Sequence, residues 1–301
     1  MTTRRFALLF ALLVLACVAG CSSGPWADDQ ILALADNDLD RMRAFNPEWA
    51  THLGDHRFDG EVSDMSEEGF AARVDFNRAY LDSLALIDPE DLSLANRIDY
   101  EILKERCEAT VFMITEVQEY RLNPTMYNPG DGIYNILARD YAPLPERLAS
   151  VKSRLQKIPL ILEAARANLD NPPAIMTQTA IRQNPGVINL IMDGLQPYLD
   201  DVPEMKDDFS TVRSRAIAAL DHYGRWLESD LLPRSNGNFR LGEDNWRRKL
   251  KYSLSSDLTP EEILTSAEQD LVATRDKMYE VALPLNRDYF GGHVDDENPG
   301  K

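Results

Sequence analysis

Residues 45–59, FNPEWATHLGDHRFD, decide how the rest of the chain is read. Asn46 is a helix cap, Pro47 takes the first helical position and Glu48 the first turn. Two turns later Gly54 supplies the stop, because glycine takes left-handed backbone without a steric cost. The short helix presents Glu48, Trp49 and His52, and the loop after it carries Asp55, His56, Arg57 and Asp59. Two of the chain's four histidines fall here, so metal and proton chemistry is weighed here first. Glu48, His52 and His56 recur every four residues with Asp55 and Asp59 alongside, and His52 with His56 would suit zinc if the helix ran on through Gly54. The glycine argues for a break, which leaves the same groups to bond one another and the loop backbone.

Outward from this stretch the apolar spacing is helical. Before it, Ile31, Leu32, Ala35, Leu39, Met42 and Phe45 predict a helix over 28–45. After it, Ser66 caps a helix whose buried stripe is Phe70, Val74, Leu81 and Leu84. Asp88-Pro89 breaks the chain, and a third helix over 93–119 carries Ile98, Ile102, Leu103, Cys107, Val111 and Ile114. Residues 122–141 read as a turn-rich loop, with Asn123-Pro124, Asn128-Pro129 and Gly130-Asp131-Gly132 interleaved with Tyr127, Tyr134 and Tyr141. Those tyrosines either line a cleft or staple the loop to the core by their rings.

Helices resume at Pro145, with Leu148, Val151, Leu155 and Ile158 in register and a kink expected at Pro159. Asn171-Pro172-Pro173 and Asn184-Pro185 are each expected to end one helix and start another. Pro203 leads a helix through Phe209, Val212, Ala216, Leu220, Tyr223 and Leu227. Residues 235–242 form a turn region and the best place for a domain boundary. Thr259-Pro260-Glu261-Glu262 is a capping box opening a helix to about residue 282. No alternating strand pattern, long heptad run or fixed-period repeat interrupts this series. The expected fold class is all-α, a multi-helix array with no sheet.

The 301 residues are 44% hydrophobic and 27% charged, an ordinary globular balance. A formal net charge of -18 argues against nucleic acid as a partner and equally against electrostatic docking on anionic lipid. Of three cysteines only Cys107 lies in the body, in register with Leu103, Val111 and Ile114, so packing is its expected role. His222 sits on a helix between Leu220 and Tyr223 as a packed or surface residue. His293 lies in an acidic loop, Gly-Gly-His-Val-Asp-Asp-Glu, that could bind calcium weakly but lacks the full ligand spacing of an EF-hand. His-Glu-x-x-His, Gly-x-Ser-x-Gly, the phosphate loop and the dinucleotide glycine fingerprint do not occur. The residues by themselves assign no catalytic, cofactor-binding or metal-binding position.

Residues 1–20 are a targeting segment, with Arg4 and Arg5 before an apolar run too short to span a bilayer comfortably. The run ends in Val18-Ala19-Gly20-Cys21, which resembles a bacterial lipobox. That resemblance implies a lipid-modified Cys21 as the first mature residue, on a tether over 21–27, with membrane contact through several acyl chains. Ser22 after the cysteine is similar to lipoproteins sent to the outer membrane, facing the periplasm. The alternative is an ordinary signal cleaved without lipid. The helical domain is expected over 28–290 and an acidic tail loop over 291–301.

Asn46-Pro47-Glu48-Trp49-Ala50-Thr51 followed by Gly54-Asp55-His56-Arg57-Phe58-Asp59 resembles the N-terminal signature of the family known as domain of unknown function 885. Arg97-Ile98-Asp99-Tyr100 with Leu103, Trp226-Leu227, Leu231-Leu232-Pro233, Phe239-Arg240-Leu241-Gly242 and Leu258-Thr259-Pro260-Glu261-Glu262-Ile263 continue the resemblance in order. It implies a bacterial lipoprotein similar to helical zinc metallopeptidases, peptide substrates, and a protein about twice this length. The zinc motif of such proteins, His-Glu-Ala-x-Pro-Gly-His, belongs to a second half that this sequence lacks. The resemblance therefore implies an N-terminal half, with the other half as a partner, and no catalytic or zinc residue carried onto any position here. The competing expectation is a non-enzymatic binding lipoprotein that uses the tyrosine-rich loop 122–141. If a second half is needed to cover these helices, the helix after Pro260 should leave Ile263, Leu264, Leu271 and Met278 exposed.

Overall fold

The computed structural model describes residues 24–291; the leader, Cys21 and the tail with His293 lie outside them. Among the described residues the chain is all-α, and the pairing of Pro173 with Asn236 is an isolated bridge. They divide into two compact units between Leu241 and Gly242.

The first unit opens with α1 (Gly24–Phe45) and α2 (Pro47–Leu53). Asn46 sits at their junction, but its amide donates back to the Met42 carbonyl and makes no cap bond to α2. It closes the first helix instead of opening the second. Gly54 ends α2 with φ +88 and donates to the Ala50 and Thr51 carbonyls, so the two polar ends of the stretch are not on one continuous helix. Ser66 caps α3 (Glu67–Leu84) by accepting from the Gly69 amide, and α4 (Leu94–Phe112) follows.

Helices α1, α3 and α4 share a core of Ile31, Tyr80, Leu84, Tyr100, Leu103 and Cys107. The buried side of α4 differs from the expected stripe: Ile98 and Ile102 are exposed, while Tyr100 and Phe112 are buried. Only Leu103 and Cys107 belong to both stripes, because the face is set by where α1 and α3 lie, and Ile98 and Ile102 fall on the other side of the turn. A π-turn, Met113–Val117, ends the run, and Gln118 at φ 51 sends the chain into α5 (Glu119–Leu122).

Residues 122–141 are not a long loop. A single 3-10 turn, Pro124–Tyr127, is followed by α6 (Gly130–Ala138), which buries Ile133, Ile136 and Leu137. The Pro-Gly-Asp-Gly cluster is a helix start, and the apolar residues behind it have helical spacing. Next come α7 (Leu144–Asn168), α8 (Ala174–Asn189) and the short α9 (Gln196–Asp200). Asn184-Pro185 does not separate helices, since both residues lie inside α8. The Asn184 amide is buried and donates to the Leu220 carbonyl, an anchor that holds α8 against α10 (Lys206–Trp226) across the missing proline amide. Helices α6, α7, α8 and α10 enclose the larger core, with Leu148, Leu155, Ile158, Ile191, Phe209 and Leu227 all but inaccessible.

The second unit holds α11 (Glu243–Leu254) and α12 (Pro260–Phe290). The capping box forms as expected, Thr259 and Glu262 bonding each other's backbone amides. The helix runs past Pro284 to Phe290, beyond the expected end.

Candidate functional site

The opening stretch folds onto α7 through one buried side chain. Arg154 lies between Val151 and Ile158 on the apolar register of α7 and is only 2% exposed. Its Nη2 donates to Thr51 Oγ1 at 2.7 Å and to the Pro47 carbonyl at 3.3 Å. Its Nε donates to the Glu61 carbonyl at 3.0 Å, and Nη1 to the Gly132 carbonyl. Burial lowers the guanidinium pKa, against the pull of Glu48 and Asp59. All three of its nitrogens are satisfied, as a buried cation requires. Gly132 leaves room for this approach: a Cβ there would stand 3.0 Å from Glu48 Cγ and 3.3 Å from Arg154 Nη1, so those side chains would have to give by a few tenths of an ångström.

From Thr51 the network continues outward. The buried Thr51 hydroxyl donates to Asp59 Oδ1 at 2.7 Å. Asp59 Oδ2 accepts from the Tyr141 hydroxyl and from His56 Nδ1, the latter at 3.0 Å. The His56 ring stacks flat on Tyr141, with centroids 3.5 Å apart and planes 5° from parallel. Burial and the bond to Asp59 push the Tyr141 hydroxyl pKa up, so it keeps its proton. Glu48 is turned elsewhere and accepts from the Ser63 amide at 3.0 Å. Asp55 pairs with Arg57, whose bond holds its carboxyl down at about 2. His52 receives Arg139, which donates to its carbonyl and meets its Nδ1 at 3.2 Å.

This arrangement can orient an imidazole and hold a carboxylate, but its donors are used up internally. The Thr51 and Tyr141 hydroxyls donate to Asp59, and that of Ser63 donates to Glu48. The zinc that the family resemblance implies does not fit here. The His52 and His56 Nδ1 atoms face Arg139 and Asp59, and among the described residues no three His, Cys, Asp or Glu side chains could hold a metal. The polar groups of residues 45–59 bond one another and the loop backbone.

The three tyrosines do not converge. Tyr127 is buried and donates to the Tyr120 carbonyl at 2.7 Å, Tyr141 belongs to the Asp59 network, and Tyr134 is exposed. Tyr127 and Tyr223 do line a narrow crevice with Asn128, Gln183 and Asn184, whose free space of about 10 Å³ is about that of one water. The Tyr223 hydroxyl there is buried without a partner, and burial raises its pKa. Cys107 is fully buried, and desolvation lifts its thiol to about 11, above any nucleophilic range. His222, exposed on α10, takes Arg166 at 2.9 Å.

Sequence reasoning missed Arg147 and Arg154. Their signal was present: two arginines stand on the same register as Leu148, Val151, Leu155 and Ile158. Arg147 is also buried, and it donates to the Ile136 and Leu137 carbonyls, satisfying the open C-terminal end of α6.

A solved structure described as a candidate lipoprotein of unknown function from Shewanella oneidensis is similar to this chain. It superposes with a TM-score of 0.77 at 25% identity, over 89% of this chain and 50% of the other. The chain thus spans about half the length of that relative. No curated protein matches it. The family described as bacterial protein of unknown function, DUF885, matches residues 47–296, and the chain belongs to that family.

Proposed function

We propose that this is a cell-envelope lipoprotein, anchored through acyl chains on Cys21 and facing the periplasm from the outer membrane. In this reading it is the helical, non-catalytic N-terminal region of a zinc metallopeptidase-like architecture, and peptide hydrolysis requires a second half. The observation that carries it is the match to a candidate lipoprotein of which 89% of this chain accounts for only 50%.

Two measurements test it. Cys21→Ser should abolish acyl labelling and release the protein from membranes, and unchanged labelling and fractionation would end the lipoprotein reading. Metal analysis of the purified chain should find no stoichiometric zinc, whereas one tightly held zinc per chain would refute the non-catalytic assignment.

A second reading, a binding lipoprotein without catalysis that uses residues 122–141, is favoured by the buried Tyr223 hydroxyl left without a partner beside Tyr127. The downstream reading frame separates the two. A His-Glu-x-x-x-Gly-His segment there favours the divided enzyme, and an unrelated neighbour favours the binding protein.

A further inference from the structure

α12 is 31 residues long. Leu264, Leu271, Met278 and Leu285 recur every seven residues along it and are 60, 61, 66 and 51% exposed. Ala267, Thr274 and Val281 follow the first three by three residues, and they too are exposed. These seven positions form one seam in the spacing by which two helices interlock. The partly buried Tyr279, Leu283 and Asn286 lie on a different side of the helix. Glu268 and Arg275 border the seam on one edge, and Asp270 and Lys277 on the other, all exposed. Among the described residues Arg247 pairs with Glu243 and Glu261, and Lys251 with Asp257, and the four bordering charges are not in these pairs.

We propose that this seam pairs with the same seam of a second copy of the chain, antiparallel, about a twofold axis near residues 272 and 273. In that register Leu264 meets Val281, Leu271 meets Thr274 and Met278 meets Ala267, and the axis repeats each layer. Every layer sets a large side chain against a smaller one, as interlocking requires. From Leu264 to Val281 the seam extends about 26 Å along the helix.

Charge selects the partner and the direction. In antiparallel pairs, residues on one edge face the same edge of the partner helix. Asp270 then meets Lys277 and Glu268 meets Arg275, and symmetry doubles both, giving four opposite-charge pairs and no like-charge one. A parallel pair would join only Asp270 to Arg275, and would stack Leu on Leu and Ala on Ala. A helix whose two edges are each complementary to themselves reversed is suited to its own copy.

The test is the oligomeric state of the full chain carrying Cys21→Ser, followed by sedimentation over a concentration series. A reversible monomer–dimer equilibrium is expected. Lys277→Asp should weaken it roughly tenfold, because two attractive pairs become repulsive. Adding Asp270→Lys to that variant should restore the dimer to within about threefold of the parent. Far-UV circular dichroism should show unchanged helicity in both, which separates lost pairing from lost folding. A monomer at every concentration would overturn the proposal, including one that instead binds the second half of a longer relative. A dimer indifferent to these reversals, or one in which Ala267→Cys readily crosslinks to itself as a parallel pair would, overturns it equally.

Discussion

Helices α7 and α12 invite comparison, since they are 25 and 31 residues long and each contains a proline, Pro159 and Pro284. Both carry apolar residues at helical spacing. On α7 Leu148, Val151, Leu155 and Ile158 are at most 1% exposed, while on α12 the corresponding seam is more than half exposed. α7 also buries two arginines on its apolar face, whereas α12 keeps its charges at the seam's borders. Periodicity therefore encodes a helix and its apolar side, but not what covers that side. Neighbouring elements settle the second question, and on α7 they go further by supplying the carbonyls that make a buried guanidinium tolerable.

The sharpest way to break this contrast is Arg154→Ala. It would strand the Gly132 and Glu61 carbonyls and leave Asp59 without its nearby cation, at a cost of about 3–5 kcal/mol. Urea unfolding at neutral pH reads this directly. The neighbouring Lys157, whose side chain is 25% exposed and pairs with Glu61, should cost no more than about 1 kcal/mol as Lys157→Ala. Equal losses for the two would mean that the buried network contributes nothing special.

Burial itself is compared next. Ile158→Ala should destabilise by about 2–5 kcal/mol, since the site is sealed and a cavity remains. Val272→Ala, 60% exposed on α12 and off the seam, should stay within about 0.5 kcal/mol. A large effect at Val272 would show that this side of α12 is covered in solution.

The third change is local to the second unit. Thr259→Ala removes the hydroxyl half of the capping box, leaving Glu262 on the backbone amide, and should cost about 1 kcal/mol. Faster hydrogen exchange confined to the first turns of α12 is the expected reading, with α7 unaffected. Acceleration throughout α7 as well would mean that the two units unfold as one.

The smallest effect concerns acid. Arg57 holds the Asp55 carboxyl at about 2, below its ordinary 3.8. A carboxyl depressed in the folded state contributes stability that is complete above the unfolded value and is lost as pH falls through the folded one. Thermal melts should therefore show the parent losing slightly more between about pH 5 and pH 2 than Asp55→Asn does. Identical acid limbs would remove Asp55 from the linkage.

Most of the fold was legible because its punctuation is local. Ser66, Gly54 and the Thr259–Glu262 box act within one turn of themselves, so their chemistry does not depend on distant residues. Reading failed where a local signal had two uses. Asn46 looked like a cap for α2 but closes α1, and Gly130-Asp131-Gly132 looked like a loop but opens α6. Pro185 looked like a break, yet the bond from Asn184 to Leu220 holds the helix in place around it. The candidate site was half visible. Residues 45–59 stood out, but not the partner 103 to 107 residues away that binds them.

By itself, the sequence determined an all-helical chain, most of its helix ends, its family and the polar character of residues 45–59. Tertiary structure alone decided that His52 meets Arg139, that Ile98 and Ile102 face outward, and that Arg154 lies at the centre. The physical reason is range. Caps and spacing act over a few residues through the backbone, whereas burial and the pairing of a charge depend on which remote surfaces meet.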